Sequence, residues 1–583
     1  MGTALHEGRD GPVGLTDGVA TTPAAVSVLP RGSCVQVDDL SRRVRVRNRA
    51  ELTVLDAVSF AVAAGELVAI VGPSGAGKTM LLEAIAGIAS TSGGSVRFDG
   101  VDLHANLRKF RGVVGYVPQD DIIHADLPLL HTLRYAARLR LPSSTTAAAV
   151  DAAVHAAIDA VGLTEHTGVR VGSLSGGQRK RASIAVELLT DPRVFFLDEP
   201  TSGLDPATSA ELIAHLRELA DRSATVAFTT HSVEDLALCD RIVFMARGGR
   251  VVFVGTVDEA LEHFDVGSVP ELFRRLADAD IANYASGATS AFPTDAVRRD
   301  VRKRPVASAF TQWRVLTHRT LETFLRNPLT LAILLASPAL VVGMFAILFR
   351  PGAFRFRDPS PSSMVMIGFW IVFAAFFFGV TYGLLQICTE RTIVRRERLV
   401  GLRLGAYVLS KVTVLVPFLL VVIVAMLGVL RLLDRLPNRP LSTYVSIAVG
   451  LLLCAVAALG LGLLASAAVG TVAQATLALP MLCFPAVLFA GAILPVHLMA
   501  RAGAALSVLM PSRWAFEAIG HDLGARRILA HGGSTLGPPL LASFGAAGRA
   551  STGVYWLILA AFALVFLAAT WGVLARSTRT STR

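Results

Sequence analysis

The sequence predicts an α/β domain followed by an all-α membrane domain of six spans. Three observations carry this. From residue 34 to about 265, short apolar runs alternate with helical stretches, the pattern of strands packed between helices. The rest of the chain holds five long uncharged runs, at 327–349, 359–389, 412–430, 440–500 and 550–575. Charge also divides along the chain. Residues 1–300 carry 29 Lys and Arg against 37 Asp and Glu, and residues 301–583 carry 26 against 7. The total of +11 over 583 residues therefore sums an acidic half and a basic, apolar half. It is no signature of a nucleic-acid binder, and no nucleic-acid partner is expected. Overall, 53% of residues are hydrophobic and 17% charged, where a soluble chain carries about 25% charged residues.

Residues 1–33 are rich in Gly, Thr and Ala with few large apolar groups, and read as a disordered segment. No apolar h-region follows Met1, so no signal peptide is expected. Five scattered cysteines form no C-x-x-C pair, which indicates neither a zinc site nor a disulfide framework. Residues 41–47 place arginine at 42, 43, 45 and 47. In an acidic domain this alternation reads as an exposed edge strand with solvated arginines.

The first chemical motif is a loop. An apolar run, Leu67 to Val71, enters Gly72-Pro73-Ser74-Gly75-Ala76-Gly77-Lys78-Thr79, and a helical stretch follows from Met80. This fits G-x-x-x-x-G-K-[ST] in its strand–loop–helix context. Glycines let the backbone close on a phosphate, and successive N–H groups with the helix N-terminus attract its charge. Lys78 is one of only five lysines. It is expected to reach the terminal phosphates, and Thr79 to ligate Mg²⁺. A second apolar run, Val194 to Leu197, ends in Asp198-Glu199. Asp198 is placed to hold Mg²⁺ and Glu199 to orient or deprotonate an attacking water.

Between these motifs lies Leu174-Ser175-Gly176-Gly177-Gln178, followed by Arg179-Lys180-Arg181. A hydroxyl and two glycines before a helix form another anion site. The segment resembles the signature of ATP-binding cassette (ABC) proteins, and other elements of that family occur in order. Gln119 in Tyr116-Val117-Pro118-Gln119 resembles the Q-loop, Asp205 in Ser202-Gly203-Leu204-Asp205 the D-loop, and His231 the switch histidine. The resemblance implies ATP and Mg²⁺ as cofactors. It implies Glu199, His231 and Gln119 as catalytic residues, with Thr79, Gln119 and Asp198 around the metal. It also implies that the signature, Leu174 to Gln178, acts on ATP held by a second subunit. One departure stands out: the family stacks adenine on an aromatic residue ahead of the P-loop, yet residues 1–59 contain no Phe, Tyr or Trp. Val44 or Val46 offers an apolar surface instead.

The domain order resembles subfamily G, the white-type half-transporters, and actinobacterial relatives. The expected organisation is a disordered segment at 1–33, a nucleotide-binding domain at 34–265, a linker at 266–307 and a permease domain at 308–583. A span needs about 20 apolar residues. The runs yield spans at about 327–349, 363–389, 412–432, 443–466, 471–494 and 553–575. Residues 528–548 are uncharged but broken by Gly and Pro, and are not counted. Before the first span, Phe310, Trp313, Leu321 and Phe324 form an imperfect apolar face opposite Arg319, Glu322 and Arg326. That is either a helix lying on the bilayer or an ordinary docking helix.

Residues 390–411 carry Arg391, Arg395, Arg396, Arg398, Arg403 and Lys411. They read as a cytosolic segment that either rests on the acidic half or serves as positive-inside anchoring. Glu390-Arg391-Thr392, Arg396-Glu397-Arg398 and 406–411 resemble the subfamily's segment between spans 2 and 3, and 511–516 its external re-entrant segment. Six rings crowd span 2, at Phe369, Trp370, Phe373, Phe376, Phe377 and Phe378, and either wall a cavity or pack helices. Gln386 and Gln474 are amides within apolar runs, facing a cavity or bonding between helices. Gly460, Gly462 and Ser466 fit close helix packing.

The expected function is ATP-driven export of a hydrophobic or amphipathic, lipid-like small substrate. The transporter would be a dimer of half-transporter subunits in the cytoplasmic membrane, with the nucleotide domain in the cytosol. The alternative is a lipid or glycolipid flippase running the same cycle. A non-transport ATPase is disfavoured, because it needs no spans.

Overall fold

The computed structural model describes residues 32–45, 51–107, 109–110, 112–120, 122–222, 224–276, 307–544 and 550–577. Residues 1–31, and 277–306 of the expected linker, lie outside the described residues.

The first half carries ten strands: β1 Val35–Arg45, β2 Glu51–Val62, β3 Leu67–Val71, β4 Gly93–Phe98, β5 Val101–Asp102, β6 Val114–Val117, β7 Val194–Leu197, β8 Thr225–Thr229, β9 Arg241–Ala246 and β10 Arg250–Gly255. Its helices are α1 Lys78–Ile85, α2 Leu129–Arg140, α3 Ala147–Asp159, α4 Gly176–Leu188, α5 Pro206–Asp221, α6 Val257–His263 and α7 Val269–Leu276. A six-stranded sheet runs β10-β9-β3-β8-β7-β6, parallel from β9 to β6 with β10 as an antiparallel edge. Strands β3, β7 and β8 are buried throughout, as continuous apolar runs in a covered parallel sheet should be.

A second, antiparallel sheet runs β2-β1-β4-β5. Strand β1 sits between β2 and β4 up to Ser41, and beyond it Arg42 to Arg45 pair with β2 alone, while residues 46 and 47 lie outside the described residues. Arg42 is not simply solvated: its Nη1 stands 3.4 Å from Glu83. The nucleotide-domain core also extends past 265. Helix α7 puts Leu272 and Leu276, both fully buried, into the same core as Phe264. The packed unit therefore runs to Leu276, because the chain has not yet exhausted its core-facing apolar residues at 265.

The second half is helical: α8 Ala309–Arg326, α9 Pro328–Leu348, α10 Pro361–Leu384, α11 Arg391–Leu399, α12 Leu404–Leu432, α13 Leu441–Ala468, α14 Val472–Leu488, α15 Arg501–Val508, α16 Pro511–Asp522, α17 Ala525–His531, α18 Gly537–Phe544 and α19 Thr552–Ser577. Among the described residues four helices are long and apolar enough to cross a membrane: α10, α12, α13 and α19. The other two expected spans fall on α9 and α14. Helix α14 has 17 residues with Pro480 and Pro485 inside it, about 26 Å at the helical rise and short of a 30 Å hydrocarbon core. Helix α9 runs through Pro338 without a break, and its stretch Pro338–Leu348 is apolar.

Small residues set the centre of this bundle. A Cβ added at Gly383 of α10 would stand 2.6 Å from the Leu459 carbonyl of α13, and one at Gly462 of α13 would overlap the Val380 carbonyl. The Ser466 hydroxyl accepts from the backbone N–H groups of Ile387 and Cys388 at 3.0 Å each. It thereby ties the end of α10 to α13. Of the span-2 rings, Phe369, Phe376 and Phe378 are buried. Phe369, Phe373, Phe377 and Phe378 join Trp370 to Tyr382 in a chain of ring contacts along α10 itself. Gln474 is a cap and not an intramembrane amide: its Oε1 accepts from the Gly470 N–H at 2.9 Å. Gln386 falls beyond the end of α10.

Helix α8 also differs from expectation. Its buried residues include Gln312, Val315, Leu316, Arg319 and Phe324, while Phe310 and Leu321 are exposed. Arg319 is buried because its guanidinium pairs with both carboxylate oxygens of Glu397, through Nη1 and, at 3.1 Å, Nη2. Glu322 accepts from Tyr135 and meets His131, both on α2, at 2.6 Å each. The helix docks between the two halves of the chain.

Candidate functional site

The parallel sheet determines where the site lies. The C-terminal ends of β3, β8, β7 and β6 point the same way. They deliver, in that order, the glycine loop, Thr229 to His231, Asp198-Glu199 and Gln119. Gly75 and Gly77 both have left-handed φ, +79° and +93°. Gly77 is also the N-cap of α1, and a Cβ there would stand 2.8 Å from the Val54 carbonyl. Glycine is required at this position twice, by conformation and by space.

The polar contacts converge. Thr79 Oγ1 donates to Asp198 Oδ1 at 3.1 Å, and Thr229 Oγ1 donates to the same oxygen at 2.7 Å. The Glu199 backbone N–H donates to Thr229 Oγ1 at 2.8 Å. Gln119 Nε2 donates to Glu199 Oε2 at 3.0 Å, while His231 Nδ1 stands 3.9 Å from Glu199 Oε1. Glu199 has φ +43°, a conformation that costs a non-glycine residue energy and recurs at functional sites. Lys78 Nζ donates to the Gly72 carbonyl at 2.8 Å and the Pro73 carbonyl at 3.3 Å. Burial lowers the Lys78 pKa, with Glu199 and Asp198 opposing the shift.

A cavity of about 820 Å³ opens over this constellation. Gly72 through Met80, Glu199 and His231 line it, together with Leu52, Thr53, Val54, Gly248, Gly249 and Phe273. Thr79 Oγ1 and Asp198 Oδ1 form a compact hard-oxygen pair beside a phosphate-sized loop. That donor chemistry suits Mg²⁺, which keeps waters and substrate oxygens in the rest of its shell.

The signature stands apart from this cavity. Ser175 caps α4: its hydroxyl accepts from the Gln178 N–H at 3.2 Å, and Gln178 Oε1 accepts from the Ser175 N–H at 3.0 Å. Ser175 and Gly176 are exposed, Leu174 and Gly177 are buried, and none of Leu174 to Gln178 lines the P-loop cavity. Gly177 packs on Thr208, where a Cβ would stand 2.5 Å from the threonine methyl. Asp205 caps α5 through the Thr208 N–H and hydroxyl, which hold its carboxyl below the ordinary range.

Sequence reasoning missed four contributors. Thr229 joins Asp198 to Glu199, and only the strand order reveals it. Lys180 is buried and donates to the carbonyls of Pro118 and Gln119 at 3.1 and 2.7 Å. Its signal was the rarity of lysine. At the end of the cavity beyond the P-loop, Val44 is absent from the lining and Val46 lies outside the described residues. Leu52, which pairs with Val44 across β1 and β2, is there instead, as is Phe273.

Besides the α8 contacts with α2, a single side chain of α11 ties the membrane half to the nucleotide domain. Arg396 on α11 reaches the nucleotide domain. Its Nε donates to Glu187 Oε1 at 2.7 Å, Nη1 to the Ile122 carbonyl and Ser183 Oγ at 2.9 and 3.1 Å, and Nη2 to the Ser183 carbonyl at 2.9 Å. The other arginines of the segment turn back to the membrane half. Arg391 bonds the Val469 carbonyl, Arg395 that of Ser577 and Arg398 that of Ala575.

Comparison with known families gives two matches, "ABC transporter" over residues 55–202 and "ABC-2 type transporter" over residues 311–520. The "ABC transporter ATP-binding/permease protein Rv1747" of Mycobacterium tuberculosis is 33% identical over 483 residues, covering 80% of this chain and 55% of that protein. The "ABC transporter G family member 22" of Arabidopsis thaliana is 36% identical over 251 residues, covering 41% of this chain and 33% of that protein. The "Broad substrate specificity ATP-binding cassette transporter ABCG2" of Bos taurus is 33% identical over 287 residues, covering 46% of this chain and 43% of that protein. The chain thus spans about half the length, or less, of these relatives.

Proposed function

Since this chain joins an ABC transporter domain to an ABC-2 type transporter domain, with G-family relatives, we propose that it is an ATP-driven exporter. It acts as a half-transporter, paired with a second copy, in the cytoplasmic membrane with its nucleotide half in the cytosol. The cargo is hydrophobic or amphipathic, in keeping with the scarcity of charge across the long helices. The observation that carries the reading is the path along α4. This one helix begins at the signature cap Ser175, holds the Gln119 backbone through Lys180, and grips Arg396 of the membrane half through Ser183 and Glu187.

In this reading the loop Gly72 to Thr79 cradles the phosphates and Lys78 sets its charge against them. Thr79 and Asp198 hold Mg²⁺, which when bound neutralises phosphate charge. Glu199 orients the attacking water and accepts its proton on a carboxylate oxygen, while Gln119 and His231 flank it. Thr229 fixes Asp198 and the Glu199 backbone relative to each other. The signature cap, exposed and remote from its own P-loop, closes over the cavity of the second copy. ATP binding would thus bring two nucleotide halves together, and α4 would carry the movement to Arg396.

Glu199→Gln in proteoliposomes tests this. ATP binding is expected to survive, hydrolysis to fall by about 10²–10⁴-fold and ATP-dependent flux to disappear. Flux that persisted in this variant without ATP would mean a passive pore. Stimulation of ATPase activity by bilayer lipids, and not by small amphiphiles, would make the cargo a lipid or glycolipid.

A further inference from the structure

The base end of the nucleotide cavity lacks the family's usual ring. No aromatic residue precedes Phe60, and Phe60 itself is buried in β2. Yet an aromatic ring does line the cavity: Phe273, from α7, about 200 residues after the P-loop. Its neighbours Leu272 and Leu276, four residues apart on one helix face, are fully buried in the nucleotide-domain core. They anchor α7, and Phe273, one position round the helix, remains only partly buried. In the same lining, Leu52 of β2 is 56% exposed although it is a large apolar residue. The polar machinery, from Lys78 to Glu199, belongs to the phosphate end. Away from it, the lining is Leu52, Thr53, Val54, Gly248, Gly249 and Phe273, apolar but for Thr53.

We propose that Phe273, with Leu52, is the platform on which the nucleotide base rests. This inference rests on the ATP reading above and names the residues that grip the heteroaromatic part of the ligand. Every purine has a π-face that an aromatic ring and an aliphatic edge can hold, and the phosphates are already held by the loop. The ring enters from the end of the domain instead of its start. A search ahead of the P-loop therefore cannot find it.

The test compares ATP with inorganic tripolyphosphate on the purified full chain. In Phe273→Ala, ATP affinity is expected to weaken about 10-fold, the worth of one base–aromatic stack. Tripolyphosphate affinity should stay within about two-fold of wild type, since it carries no base to lose. Phe273→Tyr should restore ATP affinity. Phe273→Trp adds a second readout, taken as the difference in fluorescence from wild type, since the chain already holds five tryptophans. The introduced indole should be quenched by ATP and not by tripolyphosphate. Wild-type affinity for ATP in Phe273→Ala would overturn the proposal. Equal loss of both ligands would also overturn it, by making Phe273 a structural prop. If the wild-type chain bound neither ligand, the ATP reading itself would fail, and this one with it.

Discussion

Arg396 on α11 and Glu187 on α4 meet at 2.7 Å, with side chains only 7% and 5% exposed. Glu187 is shared: Arg140 donates to both of its oxygens at 2.8 Å. Arg396 brings a second guanidinium, from the membrane half, to a carboxylate that Arg140 already pairs within the nucleotide domain. The contact thus binds the membrane half to the helix that also begins at the signature.

Removing Arg396 should therefore uncouple the halves. Breaking a buried ion pair from one side costs about 3–5 kcal/mol. Arg396→Ala is expected to keep ATP binding and basal hydrolysis while flux falls at least ten-fold. Arg396→Lys should do little better, since an ammonium cannot reproduce the fork that reaches Glu187, Ile122 and Ser183 together. The measurement is ATP-driven flux per ATP hydrolysed in proteoliposomes. An unchanged ratio in Arg396→Ala would show that the contact only anchors.

Acid should weaken the same joint. Burial pushes the Glu187 carboxyl up, but Arg140 and Arg396 outweigh it and hold the group at about 2, against an ordinary 4.5. The unfolded chain then binds the extra proton between those values. Stability from Glu187 is thus fully present above about pH 4.5 and is lost as pH falls toward 2. Thermal unfolding in detergent should show wild type above Glu187→Gln at pH 7, with the two curves converging by about pH 2–3. Parallel curves across that range would mean that Glu187 carries none of this dependence. Glu390, held at about 2 by Lys411 despite its burial, contributes a slope of the same sign in both proteins.

Lys180 is a positioning residue: it touches the carbonyls of Pro118 and Gln119 and lines no part of the cavity. Lys180→Met keeps the stem and removes the donor. The expected result is a split: kcat for ATP hydrolysis down about 10-fold, on the scale of a charged hydrogen bond of 1.5–3 kcal/mol, with KM within about two-fold. A rise in KM at constant kcat would place the lysine in nucleotide binding instead.

How much of this was legible depended on distance along the chain. The loop from Gly72 to Thr79 is contiguous, and its strand and helix flank it directly, so its geometry could be read locally. Arg396 could not be told from Arg391, Arg395 or Arg398, because its partner Glu187 lies 209 residues away. Amphipathic spacing misplaced Arg319 for the same reason, since a charge is buried comfortably only when a partner such as Glu397 meets it, and spacing carries no partner. Hydropathy weighs composition, and within the apolar run 471–494 it could not show that α14 closes at Leu488, ahead of the left-handed Gly491, φ +80°. Strand order, which makes Thr229 the bridge between the Asp198 carboxylate and the Glu199 backbone N–H, has no local signature at all.

Packing of the membrane half gives a last prediction. A Cβ at Gly462 would overlap the Val380 backbone carbonyl, and a carbonyl within a helix cannot swing aside as a side chain would. The α10–α13 pair would have to separate, losing contacts along Gly379, Gly383 and Leu459, so overpacking of about 1–3 kcal/mol is expected for Gly462→Ala. Gly428 of α12 is the control, with nothing within 4 Å of an added Cβ. There the exchange replaces a flexible helical glycine with a better helix former, so neutrality or a gain of up to about 1 kcal/mol is expected. Thermal unfolding of the two variants in matched detergent measures the difference. If both behaved alike, the α10–α13 approach would not depend on the glycine. Ser466, one helical turn further along α13, would then be the stronger tie, since its hydroxyl takes both N–H groups at the end of α10.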